Sequence, residues 1–259
     1  MKKILMFILI AAMLCTALVS CGKQSDLAAI EDAGKLVVGV TNYEPMDYLE
    51  NGEWVGFDAE LAKMFAEELG VNCQLVIIPW GNKVAELNGR QIDLVWNGMT
   101  ASDELGEKID FSVPYAKNAQ VVVVKKGSTL TADALKNAQI AVETGSAGAS
   151  VAEEIIGATK INKLEDGMIA ALNEVLAGTS EAAIIDLTMA QSKIGKGAYA
   201  DLEVLEGVQY GEEIFAVGMR QGSDIKAKLD EFLKAKYADG TMAKLLEKYD
   251  VVLNEETLK

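Results

Sequence analysis

The chain contains no histidine. That absence excludes zinc sites built on imidazole and every Ser-His-Asp or Cys-His catalytic arrangement. Cysteine is scarce, with three residues at Cys15, Cys21 and Cys73. Two of them fall in the N-terminal segment, which leaves Cys73 alone in the apolar run CQLVII. A single cysteine makes no internal disulfide and reads as a buried free thiol. Only three prolines occur, no Pro-rich linker marks a boundary, and there is no low-complexity stretch or short repeat. Basic residues are outnumbered 24 to 39, for a formal net charge of −15. Nucleic acid is therefore not an expected partner, because phosphates need Lys and Arg to neutralise them. The acidity itself reads as solubility rather than as a site. No metal and no cofactor is implied.

What is present is a chain of 259 residues, half of them hydrophobic, enough for one large core or two modest ones. Lys2 and Lys3 precede an apolar stretch from Ile4 to Leu18, and Ser20 then precedes Cys21. A charged start, an apolar centre and a small residue are the parts of a secretory signal. The stretch is short for a membrane span, which needs roughly 20 apolar residues. LVSC resembles a bacterial lipobox, whose cysteine is lipidated and becomes the first mature residue. The expectation is a signal peptide over 1–20 and a lipidated tether over 21–34. Cys21 would then hold the protein to membrane lipid on the extracytoplasmic face.

Beyond the tether, short apolar runs alternate with helical patterns. KLVVGV reads as a strand, and Asn51-Gly52 between two extended pieces signals a hairpin. FDAELAKMFAEELG reads as a helix with Asp58 as N-cap and Gly70 past its end. A strand follows at Cys73 to Ile78, then a short helix around Asn82 to Leu87 and a strand from Ile92 to Trp96. QIAVETG, EAAIIDL and EEIFAVGM read as further strands, interleaved with helices at SAGASVAEEIIG and DGMIAALNEVLAG. Two helices close the chain, with Ser223 and Thr241 as expected N-caps. Continuous apolar strands separated by helices predict an α/β fold with largely parallel, covered sheets.

The ordered set GKLVVGV, EPMDY, GEWVGFDAELA, NGMTAS, IDFSVPY, ETGS, AAIID and IFAVGMRQGS resembles the polar amino-acid binding proteins of ABC importers (family 3 solute-binding proteins). The resemblance covers nearly all of the mature chain. It implies a two-lobed, periplasmic-binding-protein-like type II fold with two crossover strands. Lobe 1 would span 35–121, lobe 2 with the hinge strands 122–215, and a return to lobe 1 216–259. VVVVKK and EEIFAVG would be the crossovers. The implied function is non-enzymatic capture of an amino acid or related small zwitterion, with ABC permease subunits as partners and a monomeric state.

The same resemblance places the site residues. The turn at the NGMT strand end holds an α-carboxylate in the family, here through Gly98 and Thr100, and Asn97 matches a cleft-facing position. Tyr43 stacks on ligand and Trp80 touches it, supplying an apolar wall or a cation–π face. Asp186 pairs with the ligand ammonium, its alternative being a helix N-cap. Ser146 and Ala147 close onto the carboxylate at a helix start, and Ser146 reads equally as a plain cap. Glu143 falls at a specificity position, or is a solvated strand-end charge. Trp54 and Trp96 read as structural.

One departure matters. The family pattern M-T-x-[ST]-x-x-R ends here in Leu105, so the bidentate grip of an arginine is missing. Two arrangements would meet this. Either Lys83 supplies the cation and the ligand keeps its carboxylate, or no carboxylate binds and a cationic ligand sits against Tyr43, Trp80, Glu143 and Asp186. The first is preferred because the turns at Thr100 and Ser146 are otherwise intact. A dehydratase-like lyase, which would need an acid such as Glu143, and a sensor or adhesin module are the rival classes.

Overall fold

The computed structural model describes residues 25–259. The expected signal peptide over 1–20 and the first four residues of the expected tether, Cys21 among them, lie outside the described residues, and the rest of that tether carries the helix Asp26–Ala33. Five strands form the first sheet: β1 (Lys35–Val40), β4 (Asn72–Ile77), β5 (Leu94–Val95), β6 (Asp110–Phe111) and β12 (Gly218–Met219), in the order β4-β1-β5-β12-β6. Five more form the second: β7 (Ala116–Lys125), β8 (Gln139–Glu143), β9 (Lys160–Leu164), β10 (Ala182–Asp186) and β11 (Leu202–Phe215), in the order β11-β7-β10-β8-β9. A separate hairpin joins β2 (Tyr48–Glu50) to β3 (Glu53–Val55). Its tip has Asn51 at φ 53° and Gly52 at φ 86°, the positive angles that an Asn-Gly hairpin turn requires.

Both sheets are mixed rather than largely parallel. β1 pairs in parallel with β4 and β5, but β12 runs antiparallel to β5 and β6. β8 pairs in parallel with β9 and β10, whereas β7 runs antiparallel to β10 and β11. The antiparallel members are the strands that arrive from the other sheet. The chain enters the second sheet in β7 and leaves it through β11, and these two strands pair with each other from Lys125 and Leu202 down to Ala116 and Phe215. Val121–Val124 lie within the second sheet between β10 and β11. VVVVK thus closes β7 and EEIF closes β11, the two strands that link the sheets. The expected EEIFAVGM strand is two elements, the end of the long β11 and the short β12.

The four valines of β7 show why such strands read as unbroken apolar runs. Val121 and Val123 join one core cluster, Val122 and Val124 another. Alternate residues face opposite sides of the sheet and both sides are covered. In the first lobe Trp96 is fully buried among Phe65, Tyr115 and Phe232. Cys73 is a free, half-buried thiol, pushed up to about 11 by burial.

Three expected caps fall one residue or more from the observed ones. Gly56 caps the Phe57–Glu68 helix, with φ at 128° and a position where a Cβ would lie 2.1 Å from the Met46 carbonyl oxygen. Asp58 instead sits inside the helix and turns inward. Asp224 rather than Ser223 precedes the Ile225–Ala238 helix, and Gly240 rather than Thr241 precedes the Thr241–Tyr249 helix. A further short helix, Glu255–Leu258, ends the chain. Among the described residues no helix is long and apolar enough to cross a membrane.

Candidate functional site

A cleft of about 730 Å³ lies between the two sheets, and all ten residues singled out above line it. The topology explains the convergence. Tyr43 follows β1, Trp80 follows β4, and Asn97, Gly98 and Thr100 follow β5. Glu143 and Asp186 are the last residues of β8 and β10, and Ser146 and Ala147 begin the next turn of helix. These strands are parallel within each sheet, so their carboxyl ends open on one edge, where α/β sheets bind ligands.

Asp186 is a buried charge of the cleft, 7% exposed. It occupies the N-cap position of the Leu187–Lys193 helix, yet its side chain makes no capping bond. Its Oδ1 instead accepts from Asn118 Nδ2 at 2.9 Å and from Gln120 Nε2. Burial, then the negative charge of Glu213, raises its carboxyl to about 7. The Tyr43 phenol, also buried, is held well above its ordinary range by burial and by Asp186. Glu143 is 3% exposed, so it is not a solvated strand end. Its Oε1 has no partner among the described residues, and burial followed by repulsion from Asp186 raises it to about 8.

Lys83 is the buried cation of the cleft, 5% exposed. Its Nζ lies 4.7 Å from the centre of the Trp80 ring, a cation–π distance. It donates to Trp80 O at 3.3 Å and to Gly145 O at 2.8 Å. Burial lowers it to about 8. The bond to Gly145 crosses from one lobe to the other. The backbones meet at the same place, since a Cβ on Gly145 would lie 3.0 Å from Gly81 Cα. On another side Glu44 accepts from Ser192 Oγ at 3.0 Å and pairs with Lys193 Nζ at 2.6 Å. The lobes are closed on each other.

The remaining cleft residues are largely occupied with the protein itself. Asn97 Oδ1 accepts the Thr41 N–H. The Ser146 hydroxyl accepts from Ala149 N at 3.1 Å and donates to Glu143 O at 2.8 Å. The Gly98 N–H donates to Asp58 Oδ2 at 2.6 Å, where the Tyr115 hydroxyl also donates at 2.7 Å. Burial pushes Asp58 up to about 7. The Thr100 hydroxyl donates to Glu213 Oε2 at 3.0 Å. Glu213, which comes from β11 and also lines the cleft, escaped the sequence reading. It is one of four glutamates between Glu203 and Glu213, and no local signal sets it apart from Glu203, Glu206 and Glu212. Among the described residues no group of acidic or thiol side chains is arranged to hold a metal ion.

Two lobes joined by paired crossing strands, with buried charges of both signs in the cleft between them, define a protein that closes over a small charged solute. The chain belongs to the bacterial extracellular solute-binding proteins, family 3, whose profile matches residues 36–251. It is 29% identical to an arginine-binding extracellular protein of Bacillus subtilis over 252 residues, covering 96% of this chain and 98% of that one. It is 28% identical to an L-cystine-binding protein of Escherichia coli, covering 86% and 85% of the two chains. A solved amino acid ABC transporter substrate-binding protein from Streptococcus pneumoniae, bound to L-arginine, superposes with a TM-score of 0.79 at 30% identity, covering 89% of this chain and all of that one. Membership of a solute-binding family makes the cleft a place of capture and release rather than of catalysis.

Proposed function

We propose that this protein captures an α-amino acid or related small zwitterion outside the cytoplasm and delivers it to the permease of an ABC importer, anchored to the membrane by lipid on Cys21. The observation that carries the ligand reading is one cleft holding a buried anion, Asp186, fixed by two amides, and a buried cation, Lys83, on the facing lobe. A zwitterion satisfies both: its ammonium meets Asp186 and its carboxylate meets Lys83. Each buried charge costs stability until it has such a partner. Tyr43 and Trp80 would flank the ligand, with Asn97, Ser146, Ala147 and Glu143 bordering it. The amino acids named for the relatives, arginine and cystine among them, support the ligand class. The importer assignment is supported by the transporter named for the S. pneumoniae structure, and the anchor by the lipobox-like LVSC. The lobe boundaries proposed are those given above, 35–121, 122–215 and 216–259, with a monomer as the working unit.

Native mass spectrometry of protein purified without refolding, followed by melting curves with each standard amino acid, tests this. The expected result is a bound mass in the amino-acid range and a raised melting temperature with the same compound, since binding the folded state alone stabilises it. Melting curves unmoved by every amino acid would refute it.

A further inference from the structure

The turn that holds a carboxylate in the family has the opposite electrostatic character here. The Gly98 N–H is committed to Asp58. The Thr100 hydroxyl is committed to Glu213. Leu105 stands where the pattern has arginine, and the two arginines of the sequence are engaged elsewhere. Arg220 binds Asp26 and Asp93, and Arg90 binds Asp26; neither lines the cleft. In place of a cation, β11 brings in the carboxylate of Glu213.

Glu213 is also coupled to the ammonium-binding residue. Its Oε2 accepts from Asn118 Nδ2 at 2.9 Å and from Gln120 Nε2 at 2.9 Å, the same two amides that serve Asp186 Oδ1. Two carboxylates gathered on one pair of donors repel each other, which adds to burial in raising the Asp186 carboxyl. Glu143 adds a third acid. Against them stands one buried lysine, Lys83. The other lysines of the lining, Lys108 and Lys163, are about half-exposed and paired with Glu104 and Glu153.

We infer that the Thr100 turn receives a positively charged group of the ligand, with Glu213 as its counter-ion, so that the ligand carries a second cation besides the ammonium at Asp186. This rests on the amino-acid reading above and names the class: a basic amino acid, its carboxylate turned to Lys83 and its side-chain ammonium, guanidinium or amidinium to Glu213. A cation there relieves the repulsion between Asp186 and Glu213. A carboxylate there would add a further negative charge with no compensating donor.

Calorimetry with two matched pairs tests it: L-arginine against L-citrulline, and L-lysine against L-norleucine. Wild type should bind the cationic member of at least one pair more tightly by about tenfold or more, the scale of a desolvated charge pair. Glu213→Gln keeps an acceptor for Thr100, Asn118 and Gln120. It should shrink that preference to about threefold or less by removing the counter-ion alone. Leu105→Arg, which puts a cation back into the turn, should erase the preference too. Ligand-free melting temperatures establish that both variants fold. A wild type that binds the neutral members as well as the cationic ones overturns the inference while leaving amino-acid capture intact. So does a preference that survives Glu213→Gln. Binding of no amino acid at all overturns both.

Discussion

Replacing Asp186 with asparagine removes the charge at the centre of the site and little else. The side chain is 7% exposed and held by Asn118 and Gln120. Asparagine is close to it in shape and keeps one oxygen to accept from those amides. Losing one partner of a buried, hydrogen-bonded charge pair costs about 2–5 kcal/mol. A middle value of about 3 kcal/mol is a loss of roughly 150-fold in affinity. That loss depends on pH, because the ligand's ammonium pairs with the ionised carboxylate, and burial together with Glu213 raises Asp186 to about 7. At pH 8 the ionised form is in place and the full loss appears. Below pH 7, wild type must first give up a proton, at about 1.4 kcal/mol per pH unit. The variant has no such proton. The ratio of wild-type to variant affinity should therefore fall about tenfold between pH 8 and pH 6. Lys83, near 8, titrates in both proteins and largely cancels in the ratio. Calorimetry at the two pH values measures it. A variant within about threefold of wild type at pH 8, less than 1 kcal/mol, or a ratio that does not move with pH, would refute the reasoning. The free protein should respond in the other direction. A carboxyl raised from 3.8 to about 7 on folding stabilises the fold below its unfolded value, and that contribution is lost as pH rises through the folded one. Asp58, also raised to about 7, acts with the same sign. The ligand-free melting temperature should thus decline between pH 4 and 7 while ligand affinity climbs.

Lys83→Ala should abolish amino-acid binding and Lys83→Arg should partly retain it. The alanine variant also loses the bond to Gly145 O, so small-angle scattering of the ligand-free protein should show a larger radius of gyration than wild type; unchanged affinity would remove Lys83 from the site. Gly98→Ala should destabilise the fold by about 1–3 kcal/mol, because Gly98 has φ +54° and a Cβ there would lie 2.7 Å from Tyr43 Cε1. A melting temperature equal to wild type would contradict that packing. Cys21→Ala should move the protein from the membrane fraction to soluble or uncleaved form, and membrane association that persists without any lipid-modified N-terminal peptide would exclude the anchor.

Much of the architecture was legible from local features. Asn51-Gly52 forced a hairpin turn because asparagine and glycine tolerate positive φ, which most residues do not. Val121–Val124 announced a strand covered on both faces. The strand ends carrying Tyr43, Trp80, Asn97, Glu143 and Asp186 could be aligned on the family pattern, and they converge on one cleft because parallel strands share an edge. The misread caps failed for a local reason too. Asp58, Ser223 and Thr241 all have capping chemistry, but Gly56 occupies a backbone position that a Cβ would block, and that freed Asp58 to turn into the core beneath Gly98.

What the sequence by itself could not determine is which long-range partners the polar groups take. Asn118 and Gln120 lie two residues apart on β7 and so face the same side of the sheet. The register sets Asn118 opposite Glu213 on β11, and Gln120 opposite Asp186 on β10. That pairing brings together two carboxylates, Asp186 and Glu213, from different strands and delivers one of them to the Thr100 hydroxyl. Nothing around Glu213 distinguishes it from its neighbouring glutamates, because its role comes from strand register and sheet closure, and a one-residue shift would turn it to the other face. Local pattern determined the α/β class, and the family resemblance picked out the strand ends that line the cleft. The negative charge of Glu213 at the Thr100 turn was decided by three strands pairing in one register.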